Sequence, residues 1–165
     1  MRVTARADYA VRAMVYLATV ETGLAKSERI ATTQQIPAKF LETILSDLRT
    51  AGLIRSQRGA SGGYRLAVPA DKIAIADVIR AVEGPLASVR GAPAEELQYP
   101  PSTPGLQNLW IALRAALRNV LEGVTVADVA TGTLPPQVQQ LAAQPTAWQT
   151  TTDRQQIRLA RQHDR

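Results

Sequence analysis

Ile36–Leu66, IPAKFLETILSDLRTAGLIRSQRGASGGYRL, decides how this chain folds. Pro37 suits the first turn of a helix, because it lacks an N–H and fixes φ. Phe40, Leu41, Ile44, Leu45 and Leu48 then recur at helical spacing and define one apolar face. Lys39, Glu42, Thr43, Ser46 and Asp47 fall on the other side. Gly52 stops the helix, and Leu53 and Ile54 open a strand. Arg58-Gly59-Ala60-Ser61-Gly62-Gly63 reads as a tight exposed loop whose glycines permit positive φ. Tyr64 and Leu66 return as a second strand in period-two alternation. Helix, turn, strand, glycine-rich basic loop and strand together predict the second half of a winged helix-turn-helix. The helix of that module enters the DNA major groove.

The flanking sequence supplies the first half. Thr4 caps a helix over about Ala5–Val20, with Tyr9, Ala10, Ala13, Met14 and Leu17 as its apolar stripe. Asp8 and Arg12, four apart, can pair. Gly23-Leu24-Ala25 reads as a turn. Ser27 starts a short helix with Ile30 and Ala31 inward, and Gln35-Ile36 form the turn between helices. After the wing, Ile75–Val82 reads as a helix stopped by Gly84-Pro85. The predicted fold class is mainly α with a small β-wing, and residues 1–84 form the DNA-binding domain.

Gly84–Gly105 holds five of the ten prolines, so no regular element of useful length is expected there. A loop this long is usually functional or disordered; residues 85–105 read as a sensor-type loop. A strong amphipathic helix follows over Leu106–Gly123. Its stripe is Leu106, Leu109, Trp110, Leu113, Leu117, Val120 and Leu121, continuing to Val124. A winged helix this small cannot bury such a helix on itself, so the stripe is expected to form a dimer interface. Thr125–Asp128 resembles a capping box for a last short helix, completing a segment 106–131. Residues 132–165 read as a flexible basic tail, with a turn around Val138–Ala142 and a basic amphipathic end near Ile157–Arg161.

Charge follows the same division. Residues 1–68 carry ten Lys or Arg against five Asp or Glu, whereas residues 69–153 carry five against eight. Residues 154–165 carry four against one. A basic excess on the winged helix is the pattern expected for phosphate contact. The 165 residues include no cysteine, which excludes disulfides and thiolate metal sites. The lone His163 sits in the tail, and no metal site or cofactor is expected. No apolar run is long enough to span a bilayer, so no membrane partner is expected and the reading is cytoplasmic. Nucleophile elbow, phosphate loop and histidine–carboxylate metal motif are all missing from the sequence, so no catalytic residues are assigned and the chain does not read as an enzyme.

AGLIRSQRGASGGYRLAVP (51–69), followed by IADVIRAVEGPL (75–86) and preceded by ADYAVRAMVYLA (7–18), resembles the Rrf-two-type transcriptional regulators. The resemblance covers about residues 1–130, and RG..GGY.L is its most specific part. It implies a homodimeric bacterial transcription factor with a winged helix and a long dimerisation helix crossing its partner. By position in that motif, Lys39, Glu42 and Thr43 match the groove-facing side of the family's recognition helix. Arg58 matches its wing arginine, which enters the minor groove. Members that bind an iron–sulfur cluster carry three cysteines in the segment matching Ser88–Thr103, and some recruit a carboxylate at the position of Asp8. This chain keeps Asp8 but has no cysteine in that segment, so no cluster is expected.

The sequence thus points to a dimeric regulator, expected to repress, that binds double-stranded DNA at a pseudo-palindromic operator. Helix 37–50 and wing 58–63 would contact DNA through Lys39, Glu42, Thr43, Arg49, Arg55, Arg58, Ser61 and Arg65. A small molecule or a protein acting near residues 85–110 would be the effector. The rival reading is a winged helix used for protein interaction, because fold does not fix function.

Overall fold

The computed structural model describes residues 2–59 and 61–148. Of these, the residues up to Leu134 form one compact unit and those from Pro135 onward a second. The first begins with α1 (Ala5–Thr19), α2 (Ser27–Gln34) and α3 (Ala38–Thr50). The antiparallel strands β1 (Ile54–Gln57) and β2 (Gly63–Leu66) follow, then α4 (Ile75–Glu83), α5 (Leu106–Leu121) and α6 (Val126–Thr131). This is the mainly helical winged architecture expected.

The helix ends are set by local chemistry. Thr4 caps α1, its Oγ1 accepting from the Ala7 N–H at 3.0 Å. Pro37 stands just outside α3 rather than inside its first turn, and its carbonyl accepts from Leu41 N–H. At the other end Gly52 is left-handed, with φ +74°. Gly52 N–H donates to Arg49 and Leu53 N–H to Leu48, the paired bonds of a Schellman turn. The same pair ends α2, where Gln35 and Ile36 donate to Thr32 and Ala31. Gln35 is left-handed there without being glycine, φ +53°, and makes the turn of the helix-turn-helix.

The core lies among α1, α2, α3, α4, α6 and the first wing strand. Met14, Ile30, Leu41, Ile44, Leu45, Leu48, Ile54, Ile73, Val78 and Val126 are fully enclosed. Phe40 is not among them. It is 48% exposed and stands edge-on to Tyr9 of α1, ring centres 6.0 Å apart. On the helical wheel it lies well off the line through Leu41, Ile44, Leu45 and Leu48, so it packs beside the core.

Ala25 does more than turn the chain. It exchanges two backbone hydrogen bonds with Tyr64, at 2.9 and 2.8 Å, and acts as a one-residue third strand of the wing. This approach explains Gly63, whose added Cβ would stand 2.5 Å from the Ala25 carbonyl oxygen. A Cβ on Gly62 would stand 2.3 Å from the Gln57 carbonyl oxygen. Neither glycine has positive φ; of the wing glycines only Gly59 does, at +107°. Close backbone approach, not the expected left-handed turn, is why two of the three must be glycine.

Beyond α4 the proline-rich segment folds into tight turns. Arg90 and Gly91, both at positive φ, make a two-residue hairpin turn closed by Val89 and Ala92. Ala94–Glu96 forms a 3-10 turn, and the Gln107 amide donates to the carbonyls of Ala94, Glu95 and Leu97 at 3.0–3.3 Å. Val124, expected on the stripe of α5, lies past its end and is buried; its carbonyl accepts from Ile75 N–H. Thr125 and Asp128 form the expected capping box of α6. Hydrogen bonds from the Thr125 backbone N–H and hydroxyl hold the Asp128 carboxyl below its usual range.

In the second unit, Pro136–Ala142 forms a seven-residue helix, α7, with proline in its first turn. The turn expected at Val138–Ala142 is part of that helix. Pro145–Trp148 adds a 3-10 turn, and Trp148 Nε1 donates to the Ala142 carbonyl at 2.6 Å. The basic end expected near Ile157–Arg161, and His163, lie outside the described residues.

The contact at Ala25 yields a stability prediction. Gly63→Ala should destabilise the protein by about 1–3 kcal/mol through overpacking against backbone. Gly105→Ala, at a position of ordinary φ with open space around it, should stay within about 0.5 kcal/mol of the parent. Thermal melts of the two variants check this. Equal melting temperatures would contradict the assigned role of the contact.

Candidate nucleic-acid interface

The outer face of α3 is polar and well placed. Lys39, Glu42, Thr43, Ser46 and Arg49 are all exposed. The Thr43 hydroxyl donates to the Lys39 carbonyl at 3.4 Å, which leaves its oxygen lone pairs and methyl for an incoming group. Two contacts from α1 set the angle of this helix. Arg6 forms an ion pair with Asp47, and Tyr9 meets Phe40 edge-on. Arg12 lies over the Tyr9 ring, 5.5 Å from its centre, and pairs with Asp8 at 3.3 Å as expected.

The wing brings a second set of charges to the same side. Arg49 of α3 and Arg58 of the wing line one concavity of about 440 Å³, together with Lys26, Ser27 and Tyr64. Arg55 stands directly opposite Arg65 in the β1–β2 ladder, and both are exposed. Ser61 is exposed on the wing loop. Sequence reasoning passed over Lys26 and Ser27. A lysine and a serine before a short helix carry no signal of their own until the Ala25–Tyr64 bridge brings them to the wing.

Ion pairing divides most cations among the described residues, although Arg2 and Arg90, off this surface, also meet no carboxylate and Lys72 pairs with Asp71. Arg6, Arg12, Arg80, Arg114 and Arg118 each pair with a carboxylate. Among the described residues, none of Lys26, Arg29, Lys39, Arg49, Arg55, Arg58 and Arg65 does. All seven lie on α2, α3 or the wing, or just before α2. Like charges directly opposite in a ladder are destabilising. The Arg55–Arg65 pair is therefore a local cost that an anion between the strands would offset.

The stripe of α5 is placed differently. The helix is about 24 Å long and has no buried residue. Leu109 is 56% exposed, and Leu106, Trp110, Leu113, Leu117, Val120 and Leu121 are only partly covered. Ile111, which lies off the expected stripe, is also exposed.

The segment matching the cluster-binding loop does not suit a metal. It holds no cysteine. Glu95 is bound to Arg114 at 2.5 Å and Asp8 to Arg12, and the Arg114 guanidinium holds the Glu95 carboxyl below its usual range. Among the described residues no three potential ligands cluster. An iron–sulfur cluster held by this chain's own thiolates is chemically excluded.

A helix-turn-helix with a glycine-tight basic wing defines a class of DNA-binding regulators. Within that class, this chain belongs to the Rrf2 family, described as iron-dependent transcriptional regulators, whose model matches residues 3–132. It is not a family of enzymes. Rv1287 of Mycobacterium tuberculosis, described as an HTH-type transcriptional regulator, is 53% identical over 143 residues, covering 86% of this chain and 89% of that one. The HTH-type transcriptional regulator CymR of Bacillus subtilis is 36% identical over 134 residues, covering 81% and 92%. The solved structure of that CymR, the global cysteine regulator, aligns with a TM-score of 0.66 over 81% of this chain and 98% of its own, at 34% identity. IscR of T. potens aligns with a TM-score of 0.65 over 90% and 97%, at 28% identity. Among the described residues no helix is long and apolar enough to cross a membrane.

The like-charge ladder pair makes a prediction independent of any ligand. Arg55→Glu places opposite charges across from Arg65 and should stabilise the free protein by several tenths of a kcal/mol up to about 1 kcal/mol. A thermal melt at low salt reads this as a rise. A fall would show that Arg55 and Arg65 do not repel.

Proposed function

We propose that this chain is a homodimeric repressor that binds a pseudo-palindromic operator in the cytoplasm. Residues 1–84 bind DNA and residues 106–131 dimerise. Lys39, Glu42 and Thr43 read base edges in the major groove. Arg58 enters the minor groove, where a narrow groove attracts a guanidinium. Arg49, Arg55, Ser61 and Arg65 contact the backbone and set register. The observation that carries this reading is the concentration of unpaired cations on α2, α3 and the wing, with Arg55 facing Arg65.

The incompletely covered stripe of α5 supports the dimer. An apolar helix with no buried residue needs a partner, and a second copy places two recognition helices about 34 Å apart, one turn of DNA. Control enters through residues 85–110, where the turns around Ala94–Glu96 are tied to α5 by Gln107 and Arg114. An effector there, small molecule or protein, acts by preferring one dimer geometry over another.

Recovery of bound genomic fragments tests the reading: the expected result is a set of promoter sites sharing one inverted repeat. Arg58→Ala should weaken operator binding by about 1–3 kcal/mol with an unchanged melt. Glu42→Ala and Thr43→Ala should relax sequence preference more than total affinity, which selection from a random library measures. Unaltered stringency in both would remove them as readers.

Assembly is tested separately. Trp110→Asp should turn the dimer into monomer or aggregate, because a buried unpaired carboxylate is costly. Sedimentation reports the mass directly, and a parent protein that is monomeric at micromolar concentration would contradict the dimer.

A further inference from the structure

Three arginines outside the DNA-facing surface surround a cavity of their own. Arg80 of α4 and Arg114 and Arg118 of α5 line a space of about 190 Å³, covered by residues 85–88 and Pro93. Arg114 and Arg118 are four residues apart and share a helix face. Glu95 is the one carboxylate in the lining; Asp77 and Glu122, outside it, pair with Arg80 and Arg118. Arg118 Nε donates to Glu122 at 2.9 Å, and Arg80 binds Asp77 at 3.0 Å and also Glu122. Arg114 and Arg118 each commit one N–H to these pairs, of the five a guanidinium carries. Glu95 and Asp77 are about half exposed and Glu122 about a third, and exposed pairs of this kind contribute little stability. An oxyanion entering the cavity can therefore displace them at small cost.

The covering segment is strained. Ala87, not a glycine, has φ of +54°. Such conformations persist where the surroundings over-determine them, and they cluster at ligand clamps. Ser88 is also part of the lining. The volume equals about six waters at liquid density, enough for a phosphate or a short dicarboxylate.

We infer that this cavity binds a small oxyanion-bearing metabolite, a carboxylate or a phosphate, between Arg80, Arg114 and Arg118. The inference rests on the reading of the chain as an effector-controlled regulator and names the effector's chemistry. The site spans α4, which packs against α1 and α3, and α5, the proposed dimer helix. Drawing Arg114 and Arg118 from Glu95 and Glu122 alters the ties between α5 and the DNA-binding half, and so couples anion binding to operator affinity.

Calorimetry on the full-length protein without DNA tests this, with inorganic phosphate, pyrophosphate and succinate each replacing chloride at constant ionic strength. The expected result is saturable binding of one anion per chain for at least one of the three. The phosphate and succinate arms separate the two sources of the oxyanion. Arg114→Gln with Arg118→Gln should weaken that binding tenfold or more, while Lys72→Gln, outside both the cavity lining and the DNA-facing surface, leaves it unchanged. Glu95→Gln, which frees Arg114 and keeps every cation, should tighten it several-fold and serves if the double variant fails to fold. No saturable binding by any probe, equal affinity in the double variant, no tightening in Glu95→Gln, or loss in Lys72→Gln would each overturn the site. Because no DNA is present, a parent that fails to bind an operator would contradict the proposed function without touching this result.

Discussion

Two backbone hydrogen bonds between Ala25 and Tyr64 hold the wing against the helix-turn-helix, and they exist only because residue 63 has no side chain. A two-stranded hairpin alone is marginally stable in water. Here Ala25 supplies a third strand one residue long, and Ile54 anchors the first strand in the core. The bridge also brings the start of α2 to the wing, so Lys26 and Ser27 join Arg49 and Arg58 around one concavity. Remove the contact and the cations of wing and helix lose their common side.

Electrostatics gives that common side its meaning. The arginines that hold the fold together are neutralised: Arg6 joins α1 to α3, Arg80 joins α4 to Glu122 beyond α5, and Arg114 joins α5 to the proline-rich segment. The cations of α2, α3 and the wing are left uncompensated, and two of them face each other across the ladder. A free protein bears that repulsion; a polyanion relieves it. Net charge alone does not carry the argument, because the partition between paired and unpaired cations is what points outward.

Much of this was legible in the sequence, for identifiable reasons. Helical periodicity located α3, and proline and glycine bracketed it to within a residue. Thr4 and the Thr125–Asp128 box announced themselves, since caps are local chemistry. What failed depends on tertiary approach. Ala25 looked like a turn residue because a one-residue bridge leaves no pattern. Gly62 and Gly63 were read through φ when the reason was backbone distance. Phe40 was counted into the apolar face although its position on the wheel lies off the core line. The proline-rich segment looked structureless because 3-10 and hairpin turns are too short for periodicity to register. Apart from the Asp8–Arg12 pair, which helical spacing announced, the division of cations into paired and unpaired sets depends on tertiary approach.

The central claim is that the unpaired cations of α2, α3 and the wing exist to meet phosphates. The most direct measurement is the salt dependence of affinity for duplex DNA of random sequence, comparing the parent with Arg55→Gln/Arg65→Gln. Each phosphate contact contributes about −0.9 to the slope of log K against log salt. The account predicts a steep straight line for the parent and a slope shallower by about 2 per chain for the double variant. A flat line for the parent, or identical slopes for the two proteins, would contradict it.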